Sequence, residues 1–359
     1  DYAGSAHARL ESTGVAGIMG GGHPWFDRDG VRRDRPRSFR FVGGESLWDS
    51  LAAHLAGNDA DGDGTRDPWT LIDTRDGFRA LREGAAPRRV LGVAPVAETL
   101  QQERRGDADA APYATPLTAT VPDLATMALG ALNVLDADPD GLALVIEGGA
   151  VDWAGHDQQS GRMIEELLAF HDAVAEVLTW LDRTGRREAA LVVVTGDHAT
   201  GGLELDADAG ARPGAGRLPA MRWTSTGHTA RPIPFFATGP GSEDFTARAR
   251  AADGSPGTII DNTDLGGVVK RLLRGRGAPG PASARGRRRH ELGRPRRRDL
   301  VQARQTRRQR GRSRPPRHQR HRIGRVRAGR QVLDVPVVGG QDHERVAGQL
   351  PVCKSSQNA

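Results

Sequence analysis

The sequence predicts an α/β domain with a largely parallel sheet, because short apolar runs alternate with longer segments of helical periodicity. The runs at 15–19, 142–146, 190–194 and 233–237 have the length of strands. Apolar residues at helical spacing between 163 and 181 predict a long helix, and shorter helices are expected at 47–56, 77–82 and 261–273, the last capped by Asn262 or Thr263. Ligands of open α/β sheets bind beyond the carboxyl ends of strands, so polar residues following these runs are the first candidates for a site.

Charge divides the chain into two parts. From Pro281 onward 21 Arg and one Lys stand against five acidic residues, a net charge of +17. The whole chain carries +6, so the first 280 residues carry −11. Affinity for nucleic acid is therefore expected of the tail alone.

We expect the residues from 275 to 359 to be a tail without regular structure. Arg, Pro, Gly and Gln dominate there, and no apolar period continues past about Arg274. The chain has 49 Arg and two Lys, a bias typical of a gene rich in G and C. Our hypothesis is that the tail is a frameshifted translation; the alternative is a genuine basic arm that binds nucleic acid.

Other global features limit the chemistry. Cys353 is the single cysteine, which excludes an internal disulfide and a thiolate metal site. No window approaches 18 consecutive apolar residues, and no signal peptide is visible, so no membrane association is expected. The sequence begins at Asp1 rather than at a methionine, and we expect it to be a fragment.

The first candidate ligands lie at 147–156, in the segment EGGAVDWAGH. Asp152 and His156 are four positions apart, which places them on one face of a helix, and a carboxylate with an imidazole is a zinc-type ligand pair. Such a pair is also common on helix surfaces. Glu147 directly follows a predicted strand, and two glycines after it would allow close approach to a bound ion.

Further candidates follow the next strands. Asp197 and His198 come directly after the run at 190–194, and His228 lies in the loop segment TGHT at 226–229. Taken singly, these could be a polar turn and a solvated histidine. Together with Glu147, Asp152 and His156 they form a set of oxygen and nitrogen ligands at strand ends and loops, which favours a metal site.

The order and spacing of these motifs resemble the alkaline phosphatase family. The matching segments are VAGIMGGGHPWF at 15–26, EGGAVDWAGH at 147–156, GDHATGG at 196–202, TGHT at 226–229 and DNTD at 261–264. The resemblance covers roughly residues 1–273 and implies a three-layer α/β/α sandwich with a mostly parallel sheet. It divides the chain into an alkaline phosphatase-like domain at 1–274, lacking its N-terminal part, and the tail at 275–359.

The resemblance also implies cofactors and residue roles. Asp152, His156 and His228 would hold one Zn²⁺, Asp197 and His198 would contribute to a second Zn²⁺, and Glu147 would help to bind one Mg²⁺. Two zinc ions can stabilise the attacking and leaving oxygens of an in-line displacement at phosphorus. Trp153 resembles a bacterial branch of the family with an aromatic residue beside the zinc ligand.

The family's nucleophilic serine and phosphate-gripping arginine lie upstream of the glycine turn, before this sequence starts. Ser50 falls after that turn and is not assigned, so no catalytic residue is named. We expect the intact parent to hydrolyse phosphate monoesters and this chain to be poorly active. The alternatives are a phosphodiesterase or sulfatase-like relative with the same metal ligands, or an inactive fragment whose basic tail binds nucleic acid.

The remaining expectations concern calcium, partners and location. Asp59, Asp61 and Asp63 have the spacing of a calcium loop with a central glycine, although position twelve is Thr70 rather than Glu, and a polar surface loop is the alternative. By resemblance, the substrates are small phosphate esters, a homodimer is possible and the location is periplasmic or extracellular.

Overall fold

The computed structural model describes residues 15–205, 218, 220–251 and 258–275, and two short strands further along the chain. The strands are β1 (Gly17–Gly20), β2 (Gly57–Asn58), β3 (Asp67–Pro68), β4 (Thr70–Ile72), β5 (Val90–Val93), β6 (Ala143–Val145), β7 (Val192–Val194), β8 (Ala199–Thr200), β9 (Glu204–Leu205), β10 (Met221–Arg222), β11 (His228–Thr229), β12 (Phe236–Thr238), β13 (Arg250–Ala251), β14 (Thr258–Asp261), β15 (Val332–Asp334) and β16 (Val352–Lys354). The helices are α1 (Glu45–Ala52), α2 (Arg75–Ala80), α3 (Leu124–Leu135), α4 (Ala150–His156), α5 (Ser160–Arg183), α6 (Glu243–Arg248) and α7 (Asn262–Gly275).

A parallel sheet with the strand order β4-β5-β1-β15-β6 forms the centre of the fold. Its side chains alternate between two separate hydrophobic clusters. Ile18 and Leu91 belong to a cluster that includes Trp48 of α1, whereas their neighbours Met19 and Val90 belong to a cluster with residues of α2, α3 and α5. Helices therefore cover both faces of the sheet, which confirms the predicted α/β/α fold.

The second half of the described chain builds short antiparallel pairs. β7 pairs with β12, β8 pairs with β11, and β9 pairs with β10. The β8–β11 pair sets His228 opposite Thr200. This pairing brings a histidine from a distant loop beside the segment that follows β7.

The predicted elements are present with shifted ends, and the additions include α3, α6 and the central strands β4 and β5. Asp123 accepts a hydrogen bond from the backbone N–H of Thr126 and so caps α3, yet nearly every residue of this helix is buried. A helix that is apolar on all sides shows no amphipathic period, so the sequence pattern does not reveal it. The cap of α7 is Asp261 rather than Asn262 or Thr263, because its carboxylate accepts the Thr263 N–H at 3.0 Å.

The tail predicted at 275–359 lies mostly outside the described residues. Its two described segments do form strands: β15 lies in parallel between β1 and β6, and β16 pairs in parallel with β14. These two segments, VLD and VCK, have strand geometry, while the nature of the tail at 275–359 stays a prediction.

Candidate metal centre

Three of the six predicted ligands converge on one point. The Nε2 atoms of His156 and His228 are 3.1 Å apart, and the Asp152 carboxylate lies 3.4 Å from the first and 3.5 Å from the second. Four ligands at zinc bond lengths of 2.0–2.1 Å, arranged as a tetrahedron, stand about 3.3 to 3.4 Å from one another. The three distances are of this size, with Oδ2 of Asp152 nearer His156 and Oδ1 nearer His228.

Helix geometry brings Asp152 and His156 together. They occupy one face of α4, four residues apart, as the sequence predicts. The buried residue Ala154 anchors the opposite face of the helix, and Phe170 of α5 packs against Gly148 just before it. The ligand face is thus held at the surface by packing behind it.

A backbone contact sets the tautomer of His156, and the surroundings of His228 lower its pKa. The Nδ1–H of His156 donates to the carbonyl oxygen of Thr226 at 2.6 Å, which leaves the lone pair of Nε2 facing the cluster. Desolvation, with a further contribution from neighbouring His198, lowers the pKa of His228, although Asp152 opposes this shift. Neutral imidazole is the form that binds a metal.

Asp197 and His198 form a second pair beside the first group. Their side chains approach to 3.2 Å, between Asp197 Oδ2 and His198 Nε2, and the His198 ring stacks on the His228 ring with centroids 3.5 Å apart. Asp197 is exposed, whereas His198 is largely covered. This pair offers two ligands, fewer than the three usual at a catalytic zinc.

Glu147 lies on the flank of both groups. Desolvation and then the carboxylates of Asp197 and Asp152 raise the pKa of Glu147 to about 7, even though the residue keeps exposed surface. A carboxyl group whose pKa is raised by desolvation and by neighbouring carboxylates would ionise more readily beside a cation. The structure thus places all six predicted residues in one neighbourhood.

Two contributors to the site escape prediction from sequence. The hydroxyl of Thr200 donates to the Asp152 carboxylate, and it also lies 3.3 Å from Nδ1 of His198. The carbonyl of Thr226 orients His156. Thr200 follows the Asp-His pair by two residues, so its proximity could have been read from the segment; a backbone carbonyl carries no signal in the side-chain pattern.

The predicted calcium loop has a different set of neighbouring carboxylates. Oxygens of Asp59, Asp61 and Asp67 lie within 4.8 Å of one another, so Asp67 takes the place predicted for Asp63. The guanidinium of Arg88 lies 2.8 Å from Asp61 and 3.2 Å from Asp67. A positive charge from the chain itself already pairs with this group.

Comparison with known proteins places the chain in a family. A family model described as alkaline phosphatase matches residues 5–215. Because this match covers more than half of the sequence, the chain belongs to the alkaline phosphatase family.

Individual relatives match parts of the chain. Alkaline phosphatase 3 of Bacillus subtilis (strain 168) is 36% identical over 91 residues, 25% of this chain and 19% of that protein. Alkaline phosphatase 4 of the same strain is 22% identical over 216 residues, 43% of this chain and 44% of that protein. Alkaline phosphatase H of Pseudomonas aeruginosa (strain UCBPP-PA14) is 28% identical over 169 residues, 44% of this chain and 32% of that protein. The chain thus matches less than half the length of each of these curated relatives.

Solved structures also match. The alkaline phosphatase from the Antarctic bacterium TAB5 is 20% identical, with a TM-score of 0.36, over 65% of this chain and 68% of that chain.

No helix in the described part of the chain has the length and apolar character needed to cross a membrane.

Proposed function

We propose that this chain forms the metal-binding part of a phosphate monoester hydrolase. The observation that carries the proposal is the triangle of Asp152, His156 and His228, whose ligand atoms stand 3.1–3.5 Å apart. Family membership supports the chemistry, since the matched family is alkaline phosphatase.

The six residues would divide between three ions. Asp152, His156 and His228 would hold a first zinc, Asp197 and His198 would contribute to a second, and Glu147 would help to hold magnesium. Bound zinc supplies Lewis acidity toward the oxygens of a phosphoryl group. The chain's own residues orient the ligands: Thr226 fixes the tautomer of His156, and Thr200 fixes the carboxylate of Asp152.

We further propose that this chain alone turns over phosphate esters slowly. In the described part of the chain, no serine hydroxyl is hydrogen-bonded to any of the six ligands, and no arginine pairs with Asp152, Asp197 or Glu147. Phosphoryl transfer depends on a positioned nucleophile and cationic groups that act together. Among the described residues, the contacts of the six ligands include neither.

An assay of three proteins tests this proposal. The chain, its Asp152→Asn variant and a version extended upstream in its own gene are supplied with zinc and magnesium and assayed with 4-nitrophenyl phosphate at alkaline pH. We expect turnover by the extended protein and almost none by the other two. Rapid turnover by the chain itself would contradict the proposed lack of a nucleophile.

Other substrates and a DNA-binding measurement distinguish the alternative functions. A bis(4-nitrophenyl) phosphate or 4-nitrophenyl sulfate preference of the extended protein would favour a phosphodiesterase or a sulfatase-like enzyme. Binding of DNA that weakens steeply with salt, and is lost when residues 275–359 are deleted, would favour the nucleic-acid alternative. The periplasmic or extracellular location and the homodimer are proposals on family grounds alone.

Calcium at Asp59, Asp61 and Asp63 remains a prediction. A calcium titration of the chain and of its Asp59→Asn variant, followed by thermal unfolding, tests it. Because Arg88 already pairs with Asp61, we expect any calcium stabilisation to be small unless the arginine is displaced.

A further inference from the structure

The loop that carries His228, residues 223–228, makes three hydrogen bonds, or ties, to the corner between α4 and α5, residues 156–160. Alternate residues of the corner each contact one residue of the loop: His156 Nδ1 lies 2.6 Å from the Thr226 carbonyl oxygen, Gln158 Nε2 donates to the Ser225 carbonyl oxygen at 3.1 Å, and Trp223 Nε1 donates to Ser160 Oγ at 2.9 Å. Corner and loop thus run past each other in opposite directions. Two of the three ties use side chains that are not predicted ligands.

The loop is also attached to the segment after β8. The N–H groups of Thr224 and Ser225 donate to the Gly201 carbonyl at 3.1 and 3.0 Å, and the Thr224 hydroxyl donates to the Gly202 carbonyl at 2.7 Å. His228 belongs to β11, which pairs with β8 over two residues, and the Gly201 N–H donates to the Gly227 carbonyl at 3.0 Å. A ladder of two residues on each strand is too short to hold a fixed position by itself. The bonds to Gly201 and Gly202 set the loop against β8, and the ties to the corner set it against α4, the helix that carries Asp152 and His156.

Gln158 holds its position at a conformational cost. Its φ is +58°, a left-handed backbone that glutamine rarely adopts. Strained residues of this kind tend to lie where the surrounding structure or a function requires them. The strained backbone turns the chain from α4 into α5 and directs the amide of Gln158 at the loop of His228.

We propose that Gln158 is a positioning residue, which, with the Trp223–Ser160 contact, holds His228 in coordinating geometry before a metal binds. This inference rests on the proposed metal centre. Ligands fixed in advance need not be ordered by the ion, so the site binds more tightly than one with a mobile third ligand. Groups that orient metal ligands from outside typically contribute 10- to 100-fold to metal affinity.

The test compares two substitutions that affect folding and metal binding differently. Gln158→Gly removes the amide and also relieves the left-handed backbone, so its melting temperature without metal should be unchanged or higher. Its zinc affinity, measured by competition with a chromophoric chelator, should fall about 10-fold. Trp223→Phe, which removes the donor and keeps an aromatic ring, should weaken zinc binding in the same direction.

Asn133→Ala is the matched control. Its amide also donates to backbone carbonyls, those of Leu81 and Gly84, in a part of the fold without predicted ligands. It should bind zinc as the wild-type chain does. A similar loss of zinc affinity in Asn133→Ala would mean that any lost amide tie weakens the site, and would overturn the inference.

Two other results separate the inference from the proposed function. If the wild-type chain and Gln158→Gly bind zinc equally and Asp152→Asn does not bind it, the positioning role is wrong and the metal centre stands. If the wild-type chain fails to bind zinc, the proposed metal centre falls, and the inference with it.

Discussion

Replacing Asp152 by asparagine removes one charge from the centre of the proposed zinc site and leaves its shape unchanged. The asparagine carbonyl can still accept the hydrogen bond that Asp152 receives from Thr200. What is lost is the anionic ligand that lies 3.4 Å and 3.5 Å from the two histidine nitrogens. Even groups outside the ligand shell contribute 10- to 100-fold to metal affinity, so we expect the direct ligand to contribute at least about 100-fold.

Zinc-dependent thermal unfolding measures this difference. At a free zinc concentration of about 100 times the dissociation constant, binding stabilises the wild-type chain by about 2.7 kcal/mol. For a domain of this size, about 2 to 4 °C per kcal/mol converts this into a rise of about 5 to 11 °C. At the same zinc concentration the variant should gain about 0.4 kcal/mol, a rise of about 1 to 2 °C.

Asp157→Asn is the control for charge. It removes the same charge from the same corner of the fold, at an exposed position that receives a hydrogen bond from Gln102, and it should keep the full zinc response. An equal zinc response in Asp152→Asn and wild type would refute the assignment of the site.

Other variants test the surroundings of the site and the core. Without metal, the pKa of Glu147 is raised to about 7, so this group contributes stability that is fully present below about pH 4.5 and is lost as pH rises through about 7. Glu147→Gln should therefore weaken the dependence of the unfolding free energy on pH between pH 4 and 8, measured by urea unfolding. An unchanged pH dependence in the variant would contradict the shift. Phe170→Ala, at a residue 2% exposed and packed on Gly148, should cost about 3 to 5 kcal/mol in urea unfolding. Arg104→Ala removes the nearer of two buried cations from Glu165, at 2.7 Å, and leaves Arg162 at 3.5 Å. It should cost about 3 to 5 kcal/mol, whereas a loss below about 1 kcal/mol would show that Arg162 and water replace the lost contact.

Local sequence patterns made four of the six proposed ligands predictable. Asp152 and His156 are four residues apart, and a single helical turn fixes their proximity. Glu147 lies two residues after the end of β6 and Asp197 three residues after the end of β7, so both are close to strand ends. In each case the signal and its cause lie within ten residues of the ligand.

His228 could be named from its motif, but its position could not be derived. It is separated from His156 by 72 residues, and its approach depends on the two-residue pairing of β11 with β8. So short a ladder has no alternating pattern that a sequence could show. The role of Gln158 was equally hidden, because it acts through a backbone carbonyl and a positive φ.

Close backbone packing sets the distances between the ligands. A Cβ at Gly155, between the two ligands of α4, would stand 3.2 Å from Cβ of Thr200, so α4 and β8 approach each other across a glycine. Gly201 has a φ of +78°, and a side chain there would overlap the ring of Trp223. The helix that carries Asp152 and His156, the strand after the Asp-His pair and the loop of His228 therefore meet through contacts that a methyl group would disturb. The close approaches at Gly155 and Gly201 thus fix the spacing of the three segments that carry the proposed ligands.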